Sequence, residues 1–157
     1  MSFFKHEANL INGKPSDFRD LEGKVVLVVN TASQCGLAKQ LKGLESLYQD
    51  YRSEEFIVLG FPSDDFGNQE LDDPKQIFKT CRTNYGVTFP MFEKVKVKGS
   101  DAHPVFKWLK RQKRGLLGHE IRWNYTKFLI DREGQVIKRF GPLRTPEKLR
   151  VPIARAL

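Results

Sequence analysis

The two cysteines, Cys35 and Cys81, are the side chains of this sequence best suited to redox chemistry. Cys35 lies in a loop between an apolar run and a helical pattern, so we expect its sulfur near unpaired backbone N–H groups and the positive end of a helix dipole. Both favour the thiolate, which is the reactive form of cysteine. The neighbouring residues, from Thr31 to Gly36, are polar or small, which favours a reactive thiol over a structural core cysteine.

Cys81 falls in a second helical pattern, which begins at Pro74. It is either a thiol that condenses with oxidised Cys35 or a cysteine packed in the core, and the spacing alone does not choose between these alternatives. A Cys-x-x-Cys motif is excluded, because positions 32 and 38 are both alanine. The cysteines and the separated histidines have no zinc-ligand spacing, and no phosphate-binding glycine pattern occurs, so we expect neither a metal nor another cofactor.

Three further side chains can donate a hydrogen bond to a sulfur anion. Gln69 and Asn124 carry amides, and Trp123 carries an indole N–H. Taken singly none is distinctive, and a tryptophan such as Trp123 is more often a packing residue.

The elements that must position these residues follow from the apolar patterns. An apolar run at 25–29, a helical stripe from Leu37 to Tyr51 and a second apolar run at 56–61 predict a βαβ unit with two parallel strands. Further along, the patterns predict a helix from Pro74, a short strand at 89–92, a helix over 103–113, a hairpin of strands 127–131 and 135–140, and a last helix from Thr145. The fold class is therefore α/β with a mixed sheet.

The composition is that of an ordinary globular protein, with 157 residues, 39% hydrophobic and 29% charged, so we expect one domain over 1–157. No apolar run reaches the length of a transmembrane helix, and the N-terminus does not resemble a secretory signal, which favours a cytoplasmic location. The net charge is +8, and residues 94–114 hold eight Lys/Arg against one acid. Since Trp108 falls on the apolar face of that segment, a solvated basic face is favoured over binding of nucleic acid or anionic lipid.

Five segments together resemble the glutathione peroxidase family in order and spacing, and they span nearly the whole chain. They are VVNTASQCGL at 28–37, LGFP at 59–62, FGNQE at 66–70, NYGVTFP at 84–90 and WNYTKF at 123–128. The resemblance implies a thioredoxin-like fold, in which helices flank a central mixed sheet.

The same resemblance implies a catalytic cycle. Cys35 is the implied peroxidatic residue, with Gln69, Trp123 and Asn124 completing a tetrad around its sulfur. The Cys35 thiolate would reduce a peroxide and become a sulfenic acid. Cys81 would then resolve that acid into an intramolecular disulfide, which thioredoxin reduces.

Departures from the family pattern narrow these expectations. Many relatives carry a further cysteine where this chain has Ser63, which leaves Cys81 as the internal resolving candidate. The segment from Gly115 to Trp123 lacks the long insertion of tetrameric, glutathione-using members, which implies a monomer. Two alternatives stay open: a one-cysteine peroxidase that uses glutathione directly, and a redox sensor or relay module.

Overall fold

The computed structural model describes residues 1–157 and contains six strands and four α-helices. The strands are β1 (Glu7–Asn9), β2 (Pro15–Asp17), β3 (Val25–Thr31), β4 (Phe56–Pro62), β5 (Lys127–Ile130) and β6 (Val136–Phe140). The helices are α1 (Gln40–Tyr51), α2 (Pro74–Tyr85), α3 (Pro104–Gln112) and α4 (Arg150–Ala156). No helix has the length and hydropathy needed to cross a membrane.

A four-stranded sheet in the order β4-β3-β5-β6 forms the centre of the fold. Strands β3 and β4 are parallel and joined through α1, while β5 runs antiparallel to both β3 and β6. All seven residues of β3 are buried, in accord with the unbroken apolar run that predicted it. The predicted parallel pair, C-terminal hairpin and mixed sheet are confirmed.

Side chains of β3 alternate between two apolar clusters, one on each face of the sheet. Val25, Leu27 and Val29 pack in a cluster that includes buried residues of α1, α2 and α4. Val26 and Val28 pack in a second cluster, which includes α3 and the phenylalanines of the N-terminal segment. Helices α3 and α4 therefore lie on opposite faces.

Helix α1 begins later than its apolar stripe predicts. The stripe starts at Leu37, but the first helical residue is Gln40, and residues 35–39 form consecutive turns. Lys39 occupies the N-cap position and offers no side-chain hydrogen bond to the first helical N–H groups. The helix start predicted at Leu37 is therefore wrong by about one turn.

The strand predicted at 89–92 is also wrong. Met91 forms one isolated bridge with Gly60, and Phe92 forms another with Leu10. Pro90 has no N–H to extend a ladder, which explains why pairing stops after one bridge. Gly60 permits this close approach, since a Cβ there would lie 2.6 Å from the Met91 sulfur.

The short strands β1 and β2 are unpredicted, and they pair antiparallel over three residues each. Strands this short hold too few residues for a period-two pattern to stand out in the sequence. The predicted last helix is present, but it starts as a 3-10 turn over Pro146–Leu149 before α4.

Lys127, the first residue of β5, is fully buried and holds the loop that follows β6 in place. Its Nζ donates to the backbone carbonyls of Gly141, Pro142 and Arg144 at 3.3, 3.2 and 2.8 Å. No carboxylate pairs with it, and burial lowers the pKa of Lys127 from 10.5 to about 7.

We expect this lysine to make the protein more stable as the pH rises from 7 to 9. The unfolded chain binds more protons than the folded chain between the two pKa values of Lys127, so the free energy of unfolding rises with pH, by about 2 kcal/mol over this window. Urea unfolding at pH 7 and at pH 9 measures the rise, which a Lys127→Met variant should lose. An equal rise in that variant would assign the effect to another group.

Candidate active site

The predicted site residues lie in three loops that meet at one edge of the sheet. Thr31, the last residue of β3, pairs with Pro62, the last residue of β4. Lys127 begins β5 and pairs with Val29, near the same end of β3. The loops that follow β3 and β4 and the loop that precedes β5 therefore converge, as expected where a ligand site forms in an open α/β sheet.

Cys35 lies in the turns between β3 and α1, with 7% of its surface exposed. The backbone N–H of Leu37 points to its sulfur, with 3.4 Å between nitrogen and Sγ. The expected unpaired N–H is thus present, but it belongs to a turn rather than to the first turn of α1. Because α1 begins five residues after Cys35, its dipole contributes less at the sulfur than the sequence predicts.

Hydrogen bonds tie the Cys35 loop to the loop that carries Gln69. The backbone N–H of Gln34 donates to the Gln69 carbonyl at 2.9 Å. Ser33 donates to the Glu70 carboxylate twice, through Oγ at 2.5 Å and through its backbone N–H at 3.2 Å. Leu71 N–H adds a third bond to this carboxylate at 2.9 Å. Glu70 therefore fixes the position of Ser33, two residues before Cys35.

The third loop joins the same network through Asn124. Its side-chain Nδ2 donates to Gln69 Oε1 at 3.2 Å, so these two predicted site residues are in direct contact. Asn124 is fully buried, and its Oδ1 has no hydrogen-bond partner. Asn30 in β3 ties this loop to the sheet, because its Nδ2 donates to the backbone carbonyl of Trp123 at 3.2 Å.

Trp123 packs at the rim of this edge and is 37% exposed. Its ring lies 5.8 Å from that of Phe66, and a Cβ on Gly67 would lie 3.4 Å from both Trp123 and Gln69. Gly67 also has a φ of +70°, which favours glycine. Trp123 is therefore not a buried packing residue, which was the other interpretation of the sequence, and it lies close to Gln69.

The four predicted residues are close in the fold, but the sulfur is not hydrogen-bonded to the three side chains. Neither Gln69, Trp123 nor Asn124 donates to Cys35 Sγ in this structure, and Leu37 N–H is the donor there. The Gln69 amide nitrogen and the Trp123 indole nitrogen bind no other acceptor, so both donors remain free for a ligand.

Cys81 lies in the last turn of α2 and is 1% exposed. It shares an apolar cluster with Cys35, and both cysteines are free thiols. Burial raises the pKa of the Cys81 thiol to about 12, and the negative charge of Glu70 adds to the shift. In this conformation Cys81 is a protonated, unreactive thiol.

The reduced protein should therefore alkylate slowly at Cys81. With a pKa of about 12 instead of 9.0, the thiolate fraction near neutral pH falls by about a thousandfold. We expect iodoacetamide to label Cys81 at least a hundredfold more slowly in the native protein than in urea, as measured by peptide mass spectrometry over time. Equal rates in both conditions would mean that the last turn of α2 is open most of the time.

Two residues that the sequence argument did not select position this site. Glu70 is one, and the other is Tyr125, whose hydroxyl donates to the Ala32 carbonyl at 2.9 Å. Tyr125 is buried with a φ of +65°, and its pKa is raised well above 10, chiefly by burial, with the Glu70 carboxylate adding to the shift. Glu70 lies in the segment 66–70 and Tyr125 in the segment 123–128, two of the segments that carry the family resemblance. That resemblance is the sequence signal that could have indicated them.

A family model described as glutathione peroxidase matches residues 3–110. A glutathione peroxidase-like peroxiredoxin from Chlamydomonas reinhardtii is 48% identical over 99% of this chain and 96% of its own length.

Solved structures extend the comparison to the fold. The crystal structure described as Trgpx in apo form superposes with a TM-score of 0.83 at 44% identity, covering 99% of this chain and 95% of that one. A thioredoxin-family thiol:disulfide interchange protein from Chlorobium tepidum gives a TM-score of 0.72 at 18% identity over 96% and 92% of the two chains. The thioredoxin-like fold expected from the sequence is confirmed.

Proposed function

This chain belongs to the glutathione peroxidase family, and from that premise we propose that Cys35 reduces hydrogen peroxide and organic or lipid hydroperoxides to water and alcohols. The observation that carries the proposal is the placement of Cys35. Its sulfur lies just below the surface and receives a backbone N–H, and its loop is hydrogen-bonded to the loop that carries Gln69. The thiolate attacks one peroxide oxygen and breaks the O–O bond, and Cys35 becomes a sulfenic acid. The other oxygen leaves as hydroxide or alkoxide and takes a proton from solvent to become water or an alcohol.

Gln69, Trp123 and Asn124 are proposed as the groups that stabilise charge during this attack. Gln69 and Trp123 have free N–H groups at the site, and Asn124 orients Gln69 by donating to its carbonyl oxygen. Because these donors are uncharged, they can hydrogen-bond first to the sulfur anion and then to the departing oxygen. They hold neither atom as strongly as a fixed positive charge would.

A Trp123→Phe variant tests this role. Phenylalanine keeps an aromatic ring against Phe66 and removes an indole N–H that has no partner in the structure. We expect the free energy of unfolding to change little, while the second-order rate constant for hydrogen peroxide falls by about tenfold or more. The substitution also changes the tryptophan fluorescence, which then comes from Trp108 alone. Competition with a second peroxidase therefore gives the rate in both proteins. An unchanged rate constant would remove Trp123 from the proposed tetrad.

Cys81 is proposed as the resolving residue. Its thiol sulfur bonds to the sulfur of the Cys35 sulfenic acid, the hydroxyl leaves as water, and a disulfide forms. Thioredoxin then reduces that disulfide through a mixed disulfide. Cys81 is buried in the last helical turn before Gly86, so this turn must open first. Helix ends open at the lowest cost in free energy, which supports a local rather than a global rearrangement.

The proposal places the protein in the cytoplasm as a monomer of one domain, with a peroxide as substrate and thioredoxin as reductant. The burial of Cys81 supports one alternative, a one-cysteine peroxidase that uses glutathione directly. In that case the sulfenic acid at Cys35 would react with glutathione, and Cys81 would remain a core residue.

Intact mass and thiol count after one equivalent of hydrogen peroxide separate these alternatives. Loss of two hydrogens and of both thiols, reversed by reduced thioredoxin, supports the disulfide between Cys35 and Cys81. A gain of one oxygen with Cys81 still free supports the one-cysteine cycle. Disulfide formation without repeated turnover would indicate a redox relay, and no reaction at all would contradict the peroxidase function.

A further inference from the structure

The loop that carries Gln69, residues 63–73, is held in place mainly by side chains. Between Asp64 and Asp72 its one backbone–backbone hydrogen bond runs from the Gln34 N–H to the Gln69 carbonyl, at 2.9 Å. Residues 63–73 include five acids and no base, so a cation that balances this charge must come from another part of the chain.

Lys94 supplies that cation and joins the two ends of the loop. Its Nζ donates to Asp64 Oδ2 at 3.1 Å near the start of the loop. Near the end it donates to the Leu71 carbonyl at 3.2 Å and to Asp72 Oδ1 at 3.1 Å. An ammonium group has three N–H donors, so each of them has a partner in this loop. Gln69 lies between the two points of attachment.

The backbone on both sides of Lys94 is fixed to the rest of the fold. The Glu93 N–H donates to the carbonyl of Asn9 in β1 at 2.9 Å, and the Val95 N–H donates to the carbonyl of Pro62 in β4 at 2.9 Å. Pro62 is the last residue of β4. Lys94 therefore ties the loop to the edge of the sheet at which the candidate active site lies.

The positive charge of Lys94 also acts on Glu70. Burial raises the pKa of Glu70, and hydrogen bonds from Ser33 and Leu71 together with the charge of Lys94 offset part of that rise. Hydrogen bonds to an ionised carboxylate are stronger than those to a neutral group. By favouring the carboxylate form of Glu70, Lys94 strengthens the link from this loop to the Cys35 loop.

We propose that Lys94 is a positioning residue for the reaction of Cys35 with peroxide, because it holds Gln69 in place beside the Cys35 loop. This inference rests on the proposed function, in which the Gln69 amide stabilises charge during the attack. Lys94 acts only through the loop, since its ammonium group donates to residues 64, 71 and 72. A displacement of a catalytic donor by about 1 Å can lower a rate by about a hundredfold.

Amide hydrogen exchange, followed by NMR, tests whether Lys94 holds the loop. A Lys94→Met variant keeps most of the apolar part of the side chain and removes the ammonium group. We expect the N–H groups of Ser33 and Gln34, which bind this loop, to exchange about tenfold faster or more than in the parent protein. The Val28 N–H in the buried strand β3 should exchange at the parent rate.

Two rate constants of Cys35 test whether the position of Gln69 matters for the chemistry. In Lys94→Met we expect the second-order rate constant for hydrogen peroxide to fall by about tenfold or more. The rate of alkylation of Cys35 by iodoacetamide should change by less than about threefold, because iodide leaves in that reaction and no charge develops on an oxygen. Lys96→Met is the matched control, since Lys96 is exposed in the same segment, and it should change neither rate.

The pair Asp64→Asn and Asp72→Asn provides a second variant, which keeps Lys94 and removes both carboxylates. Both aspartates reach solvent, so folding should be retained, and the same two amides should exchange faster. Unchanged exchange at Ser33 and Gln34 in both variants would overturn the proposal. A parent-like peroxide rate in Lys94→Met would overturn it too, and so would an equal fall in the peroxide and iodoacetamide rates.

Failure of the parent protein to reduce peroxide would contradict the proposed function instead. Amide exchange requires no turnover, so it would still show whether Lys94 holds the loop.

Discussion

A Cys35→Ser variant is expected to lose peroxide reduction, by at least about a thousandfold in the second-order rate constant. A serine hydroxyl is not ionised near neutral pH and cannot form the sulfenic acid that stores the oxidising equivalent. The substitution is nearly isosteric, and the Leu37 N–H that now donates to Sγ can donate to Oγ instead. Folding should be retained, so the loss reports on chemistry.

Consumption of hydrogen peroxide under excess protein, followed with a peroxide-specific dye, measures this loss. Circular dichroism tests whether the variant is folded. Ser100→Ala is a suitable control, because Ser100 is exposed and lies in another loop. If Cys35→Ser consumes peroxide at the parent rate, then Cys81 or another group carries the reaction and the site is assigned to the wrong residue.

The sheet could be predicted from the sequence because its strands are apolar on both faces. Val25 to Val29 form an unbroken β-branched or aliphatic run, and burial on both sides is the simplest arrangement for it. The start of α1 could not be predicted from its apolar stripe, because Leu37 packs against the core from a turn as well as it would from a helix. The spacing of apolar residues indicates which side chains face the core. It does not show whether the backbone at the end of a helix is helical or forms a turn.

The sequence predicted which residues belong to the site, but not how they contact one another. The resemblance selected Gln69 and Asn124, and the structure places them 3.2 Å apart through a contact between loops 55 residues apart in the chain. The hydrogen bond at the sulfur comes from the Leu37 backbone, which no side-chain motif can indicate. The role of Glu70 also needed tertiary structure, because its carboxylate binds the N–H and O–H groups of Ser33 in a different loop.

The burial of Cys81 has a kinetic consequence if it is the resolving thiol. The reaction with Cys35 cannot begin from the closed helix, since Cys81 is 1% exposed there and its pKa is about 12. Opening of the last turn of α2 must come first, so resolution should be slower than the attack on peroxide and should not depend on peroxide concentration. Sulfenic acid then accumulates briefly, and dimedone can trap it.

A Cys81→Ser variant is therefore expected to complete one turnover and then stop. Peroxide consumption should equal one equivalent per protein, with the rate of the first oxidation close to that of the parent protein, while steady-state turnover with thioredoxin falls by about a hundredfold or more. A serine hydroxyl is less suited than a thiol to the apolar cluster around Cys81, so Cys81→Ala provides a second variant if the first is unstable. Thr83→Ala is the matched control, as it alters an exposed position in the same helical turn.

The Cys81→Ser experiment tests two predictions, and either can fail separately. The first oxidation depends on Cys35, whereas turnover with thioredoxin depends on Cys81. Loss of the first equivalent in Cys81→Ser would mean that Cys81 acts before the sulfenic acid forms, which its burial argues against. Retained turnover with thioredoxin would mean that the reductant attacks the Cys35 sulfenic acid directly. Retained turnover with glutathione alone would instead favour the one-cysteine cycle, in which α2 never needs to open and Cys81 serves only to pack the core.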